Sequence, residues 1–507
     1  MKLSEYREYD GIGLSKLLYN KQVSPRELLD VCLLAIEEVN PALNFLAQDL
    51  RHAAASQLKN INLTASPLAG VPILIKDLVL KYEGTPTCGA VKVLKNANAS
   101  KNSALADAYL KAGLIFAGKS TTSELGLNTF TQSRHYGETR NPWDTDLSPG
   151  GSSGGAGAAV ASGAVPIAHG NDGGCSLRSP ASHCGLVGLV PSRGRVSNAP
   201  DVNVWHGLLC QNAVTRTVRD SAAMLDIATT TQGMPPEMYD CPKANGSFLA
   251  KLQQPLRPLK IAVCRTPFFG GEVDPAVLEG VNSTIDLLEE AGHHVEDAGP
   301  SFIAPTPFKQ AFAEVVFDYF AQLKRDISRE IGRKLTADDV EASTWTVMRL
   351  GECLSQEQAL RAKQLIFSQA RATEQLHQHY DLLLTPTLPT LPPESDALRA
   401  PVRDLTAFRW IDKLGFTRVL WKSETFRKNS NKLLDYIGFV APFSCTGQPA
   451  ITLPLHWHQE TVPVGMQFVA PVGREDVLLC LGAQLEQMRP WAHRRPSVDI
   501  TSHLDDD

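Results

Sequence analysis

Three polar side chains sit in surroundings that could put them to chemical use. Lys76 interrupts the apolar run "GVPILIKDLVL" (Gly70 to Leu80), where Asp77 is its polar neighbour. Burial in such a run penalises the charged ammonium, and an amine left neutral near physiological pH is a general base. The other reading is a lysine at a strand edge or one that snorkels to solvent. Ser152 lies in "SPGGSSGGAGAAVASGAV", where Gly150-Gly151-Ser152-Ser153-Gly154 fits the G-x-S-x-G pattern of a nucleophile elbow. Backbone N–H groups of that turn could also face an anion. The turn lacks the G-K-[ST] ending of a phosphate loop, which argues against nucleotide binding, and a flexible loop is the plain alternative. Ser176 follows twenty-four positions later in "HGNDGGCSLRSP". Successive glycines let N–H groups converge, so Gly173, Gly174, Cys175 and Ser176 could form an oxyanion hole at the Ser176 hydroxyl. A tight turn between strands is the alternative there.

Such residues need strands and helices to hold them. "VSPRELLDVCLLAIEEVNPALN" predicts a helix capped by Ser24, with Pro25 in its first turn, Glu27 closing a capping box and Asn40–Pro41 ending it. Gly70 to Leu80 reads as a buried strand, and "LADAYLKAGLIFAGKSTTSELG" as a helix, a strand and a polar loop. "SGAVPIAHG" predicts the strand that leads to Ser176. "LKIAVCRTPF" and "VDPAVLEGVNSTIDLLEEAGHHVEDA" give strand, helix, strand, the helix opened by Asp274 and Pro275 and stopped by Gly292. Residues from Phe308 to Tyr380 are helical in period and predict a cover on the sheet. "YDLLLTPTLPTLPP" predicts a strand running into a proline-rich loop. "FVAPFSCTGQPAITLPL" and "VPVGMQFVAP" predict late strands, "EDVLLCLGAQLEQM" a closing helix and "SVDITSHLDDD" a frayed acidic tail. The alternation argues for an α/β protein, and the lack of repeats or linkers for one continuous domain over 1–507.

The composition narrows the partners. A net charge of −5 argues against a nucleic-acid binder, which needs a basic face. No window approaches the ~20 apolar residues of a membrane span, and "MKLSEYREYDGIG" has no apolar signal core. The ten cysteines show no zinc spacing and read as reduced thiols, the usage of a cytoplasmic protein.

Together these stretches resemble the amidase signature family. The resemblance begins near "SPRELLDVC" and passes through "GVPILIKD" and "GKSTTSELGLNTFTQSRHYGETRNPWD". It is densest over "SPGGSSGGAGAAVASGAVPIAHGNDGGCSLRSPASHCGLVGLVPSRGRVS" and resumes at "LLLTPTLP", "TGQPAITLPL" and "VPVGMQFVAP". It implies an α/β fold with a central mixed sheet covered by helices on both faces, about 308–431 forming a helical cover. It implies a hydrolase that cleaves carbon–nitrogen bonds of linear or cyclic amides through a Ser–cis-Ser–Lys triad and an acyl-enzyme. By motif, Ser176 is then the nucleophile, Ser152 the bridging serine after a cis bond from Gly151, and Lys76 the base. Gly173, Gly174, Cys175 and Ser176 would supply the oxyanion hole, with Ser153, Asp172 and Arg178 in support. The expected partner is a small-molecule amide, with no metal or organic cofactor and with a homodimer as a common family state. "AHGNDGGCSLR" and "PSRGRVS" look most like the subgroup that includes 6-aminohexanoate cyclic-dimer hydrolase.

Cys175 departs from the family, which has glycine there. A positive φ at that position would strain a cysteine, and the thiol itself could be reactive. Three other readings stand beside the amide hydrolase. One is the glutaminase subunit of a tRNA-dependent amidotransferase. Another is a non-catalytic binding protein, hinted at by Cys175. The third is an α/β-hydrolase with Ser152 as nucleophile, which needs a later acid and a histidine from among His293, His294, His456 and His458. Phe317, Phe320, Trp345, Phe408, Trp410 and Trp421 could line an apolar pocket, or be core.

Overall fold

The computed structural model describes residues 1–234, 239–299, 305–420 and 423–502. Its centre is one mixed sheet of 11 strands. In chain order these are β1 (Leu46–Asp49), β2 (Pro72–Lys76), β3 (Ile115–Ser120), β4 (Ile167–Asp172), β5 (Val187–Val190) and β6 (Cys210–Thr215). Then come β7 (Lys260–Val263), β8 (His294–Asp297), β9 (Leu382–Pro386), β10 (Ala450–His458) and β11 (Val462–Val469). Their order across the sheet is β1-β3-β2-β4-β6-β5-β10-β11-β9-β7-β8. The sheet is flanked by helices.

The centre of the sheet explains why Lys76 is buried. Every residue of β2, β3 and β4 is buried, as expected of strands covered on both faces. β2 runs parallel to β3 and to β4, with Leu74 opposite Ala168. The carboxyl ends of β2 and β4 therefore lie side by side, where an open α/β sheet places its ligand site. Lys76 ends β2 and Asp172 ends β4. The helix Gly154–Ala161 lies against this centre and is buried on all sides. Small residues are required there: a Cβ on Gly155 would come within 2.6 Å of the Thr121 nitrogen.

Several expectations needed correction. The first long helix continues through Pro41 to Leu43. Asn40 does not stop it; its Oδ1 accepts from the Phe45 and Leu46 N–H groups at 2.9 Å each and steers the chain into β1. The strand expected over Gly70 to Leu80 ends at Lys76, because the Asp77 carboxylate turns to the Tyr136 hydroxyl at 2.6 Å and Val79 is left-handed at φ 71°. In "FVAPFSCTGQPAITLPL" the residues Ala441–Thr446 form a helix, with Pro442 in its first turn and left-handed Gly447 at its end. The cover is interrupted: the helices Pro305–Glu330, Ala342–Cys353 and Gln356–Leu376 precede β9, which rejoins the sheet before Val402–Lys413 and Glu424–Tyr436. The tail is anchored, with buried Asp499 accepting from Arg7 Nε at 2.6 Å; its last residues, 503–507, lie outside the described residues.

Candidate active site

The Lys76 amine hydrogen-bonds to Ser152 Oγ at 2.8 Å, Ser153 Oγ at 2.9 Å and Asn171 Oδ1 at 2.7 Å. All four residues are buried. Burial pushes the amine down to about 7, against the pull of the Asp172 carboxylate and of Cys175. His169 is no rival base. Its Nδ1 accepts from the Lys76 backbone N–H at 3.2 Å, and burial, aided by Lys76, pushes the ring down to about 3.

Ser152 is held by a tight turn. The Gly151–Ser152 peptide bond is cis. A Cβ on Gly151 would lie 2.6 Å from the Phe130 nitrogen, so no larger residue fits. Thr131 Oγ1 donates to the Gly150 carbonyl and accepts from the Gly154 N–H, both at 2.9 Å, bracketing the turn. The Ser153 N–H donates to the Ser176 carbonyl at 3.3 Å, tying the two serine segments together.

A buried ion pair fixes the loop between β4 and the following helix. Arg178 donates to Asp172 through Nη2 at 2.9 Å and through Nε at 3.0 Å. Asp172 also accepts from the Leu177 N–H at 3.1 Å. Burial alone would raise the Asp172 carboxyl, but the Arg178 guanidinium holds it below its ordinary value. The remaining Arg178 donors reach the Val440 carbonyl at 2.7 Å, Gln467 Oε1 at 2.9 Å and Ser444 Oγ at 2.7 Å. The pair thus closes on both ends of the five-residue stretch Gly173 to Leu177 that carries Ser176.

Cys175 is accommodated without strain, since its backbone is not left-handed. Its thiol donates to the Gly151 carbonyl at 3.5 Å, and burial, with Asp172, pushes it up to about 12. Such a thiol is held in its protonated form, which counts against the reading of Cys175 as a nucleophile.

Gly174, Cys175 and Ser176 open onto a cavity of about 170 Å³. Its walls are mainly apolar, with Trp205 and Phe312 nearest the loop and Phe317 and Phe408 farther along. Of the aromatic residues singled out in the sequence, Phe317 and Phe408 line it. Phe320 is packed in the core, Trp345 donates to Asp412 at 2.8 Å, Trp410 is exposed, and Trp421 lies outside the described residues. None of His293, His294, His456 or His458 lines this cavity. Sequence reading missed Asn171, Ser444, Gln467, Trp205 and Phe312. Asn171 alone had a signal, standing two residues from His169 on the strand that faces Lys76.

A family model described as Amidase matches residues 27–479. The chain is 32% identical over 499 residues to a 6-aminohexanoate-cyclic-dimer hydrolase of Paenarthrobacter ureafaciens, covering 96% of each chain. It is 30% identical to a lipoamidase of Enterococcus faecalis, covering 95% of this chain and 64% of that one. Among solved structures, 6-aminohexanoate cyclic dimer hydrolase complexed with substrate superposes with a TM-score of 0.86 at 31% identity, covering 97% and 99%. A bacterial aryl acylamidase shares the fold at a TM-score of 0.81 and 23% identity, covering 97% and 98%. The buried lysine and serines at the carboxyl ends of a mixed sheet thus belong to a hydrolase of amide bonds. The chain is a member of the amidase family.

Proposed function

We propose that Ser176 opens the amide, activated by Lys76 through Ser152. The carrying observation is the set of three partners around the Lys76 amine. A neutral amine has two N–H groups and one lone pair. Asn171 Oδ1 can only accept. Ser153 Oγ can accept too, because its own proton goes to the Asn171 carbonyl at 3.3 Å. Both N–H groups are then used, and the lone pair is left for the Ser152 hydroxyl. Ser152 donates to Lys76 and keeps an oxygen free to take a proton.

Ser176 Oγ adds to the amide carbon while its proton moves to Ser152 and the Ser152 proton moves to Lys76. Charge grows on the carbonyl oxygen, which the N–H groups of Gly173, Gly174, Cys175 and Ser176 receive. The carbon–nitrogen bond then breaks, the amine leaves with the returned proton, and an acyl ester remains on Ser176. Water repeats the sequence, giving the carboxylic acid and free serine. The apolar walls of the cavity suit a linear or cyclic amide with an aliphatic or aromatic body.

Lys76→Ala tests this reading. Folded protein, judged by circular dichroism, is expected to lose at least about a thousandfold in kcat/KM on an anilide substrate. Retained turnover would show that another group takes the proton.

A further inference from the structure

The cavity above Ser176 changes character along its length. Most of its lining side chains are apolar, and its polar ones, two cations apart, are neutral. Its charged residues are Arg399 and Lys432, and it has no carboxylate among its described lining residues. Both cations are exposed, whereas Gly174, Cys175 and Ser176 are buried. Arg399, Lys432 and Leu398 also line a wider groove of about 1310 Å³, so they mark the place where the cavity opens outward. Glu272, Asp274, Glu424 and Asp435, with Lys428 among them, belong to that groove and not to the cavity.

Neither cation is neutralised among the described residues. The Arg399 side chain has no ion pair or hydrogen bond there. Glu341 feels it through space, but the Glu341 carboxylate is taken by the Arg134 N–H at 2.9 Å. Lys432 Nζ donates to the Ala397 carbonyl, an uncharged partner. Two uncompensated cations at the end of an apolar passage match an anion on an apolar stem, and the acids beyond limit how far it can reach.

We infer that the preferred substrate is an amide with an apolar arm ending in a carboxylate, held where Arg399 and Lys432 flank the cavity exit. This rests on the reading of Ser176 as the attacking group only in placing the amide at the other end.

Two matched pairs of compounds test it. One is an ω-carboxyacyl 4-nitroanilide with its methyl ester, and the other an N-acyl ω-amino acid with its methyl ester. In at least one pair, kcat/KM for the acid is expected to exceed that for the ester about tenfold at low salt, the gain from two exposed charge contacts. Raising salt to about 0.5 M should shrink the advantage. Arg399→Gln with Lys432→Gln should bring the acid-to-ester ratio to within about twofold of one. Calorimetric binding of the same compounds to Ser176→Ala is independent of turnover and should show the same preference. Esters bound as tightly as acids, no binding by any of the four, or a preference that survives the double substitution overturns the inference. Preferential binding of the acids without their cleavage by the unsubstituted protein supports the subsite and counts against the hydrolytic route alone.

Discussion

Gly154 to Ala161 and Ile167 to Asp172 are buried without exception, whereas the helix Val402–Lys413 exposes Val402 at 78% and Trp410 at 61%. The first region floors the site and the second belongs to its roof. In the floor, polar groups are buried and paired: Lys76 with its three hydrogen-bond partners, Asp172 with Arg178. Misplacing any of them leaves a desolvated polar group or charge. In the roof, the residues facing the cavity are mainly apolar, with Arg399 and Lys432 at its exit, and apolar contacts are non-directional. The floor thus fixes geometry and the roof fixes shape. Changes to the floor should act on kcat, and changes to the roof on KM and on choice of substrate.

The largest effect should come from the floor. Ser176→Ala and Lys76→Ala are each expected to remove at least about a thousandfold of kcat/KM, and the double variant little more, because the two act as one unit. Steady-state assays on all three check this, and additive losses would separate the two residues. Next comes Asp172→Asn. It leaves Arg178 buried without its counter-charge and should cost about 3–5 kcal/mol of stability, read by denaturant titration. A loss under about 1 kcal/mol would mean that Arg178 is satisfied by its other acceptors.

A smaller effect belongs to pH. In the proposed relay Lys76 must be neutral to accept a proton, and burial brings it down to about 7. Activity should therefore rise with pH and reach half its plateau near 7, with kcat/KM falling about tenfold per unit well below that. A profile flat from pH 5 to 9, by a rate measurement over about that range, would exclude a base of this kind.

In the roof, Phe312→Ala opens the wall beside Gly174 and should raise KM about tenfold while lowering kcat less. An effect confined to kcat would blur the distinction between floor and roof. The smallest effect is expected at Glu124, which joins the two regions by accepting from the Glu341 N–H at 2.7 Å. Burial, with the Glu341 charge adding to it, pushes its carboxyl up to about 7. Between its unfolded value and about 7 the folded state binds the extra proton, so this group's contribution weakens as pH rises through that window. Glu124→Gln keeps the acceptor and removes the titration. Its Tm at pH 8 should match or exceed that of the unsubstituted protein by about 1–3 °C.

The floor was more legible in the sequence than the roof, and for a physical reason. A lysine within "ILIKD" and serines within glycine-rich turns announce a buried polar site locally, and the structure brings Lys76, Ser152 and Ser153 into one hydrogen-bonded group. Asp172 and Arg178 are six positions apart, close enough to be read as one motif. Ser444 and Gln467, which complete the Arg178 shell, arrive from 266 and 289 positions away and leave no local pattern. Trp205 and Phe312 likewise become cavity walls only when their segments pack over the loop. Ala441–Thr446 is a helix where the sequence predicts a strand, because a short apolar run fits a buried strand and a buried helix equally well.

The most direct test of the central claim is the rate at which a fluorophosphonate labels the protein, followed across pH and located by peptide mass spectrometry. The expected adduct is on Ser176, forming with a midpoint near pH 7 and nearly abolished in Lys76→Ala. An adduct on Ser152, or labelling of Ser176 that ignores both pH and the loss of Lys76, would contradict it.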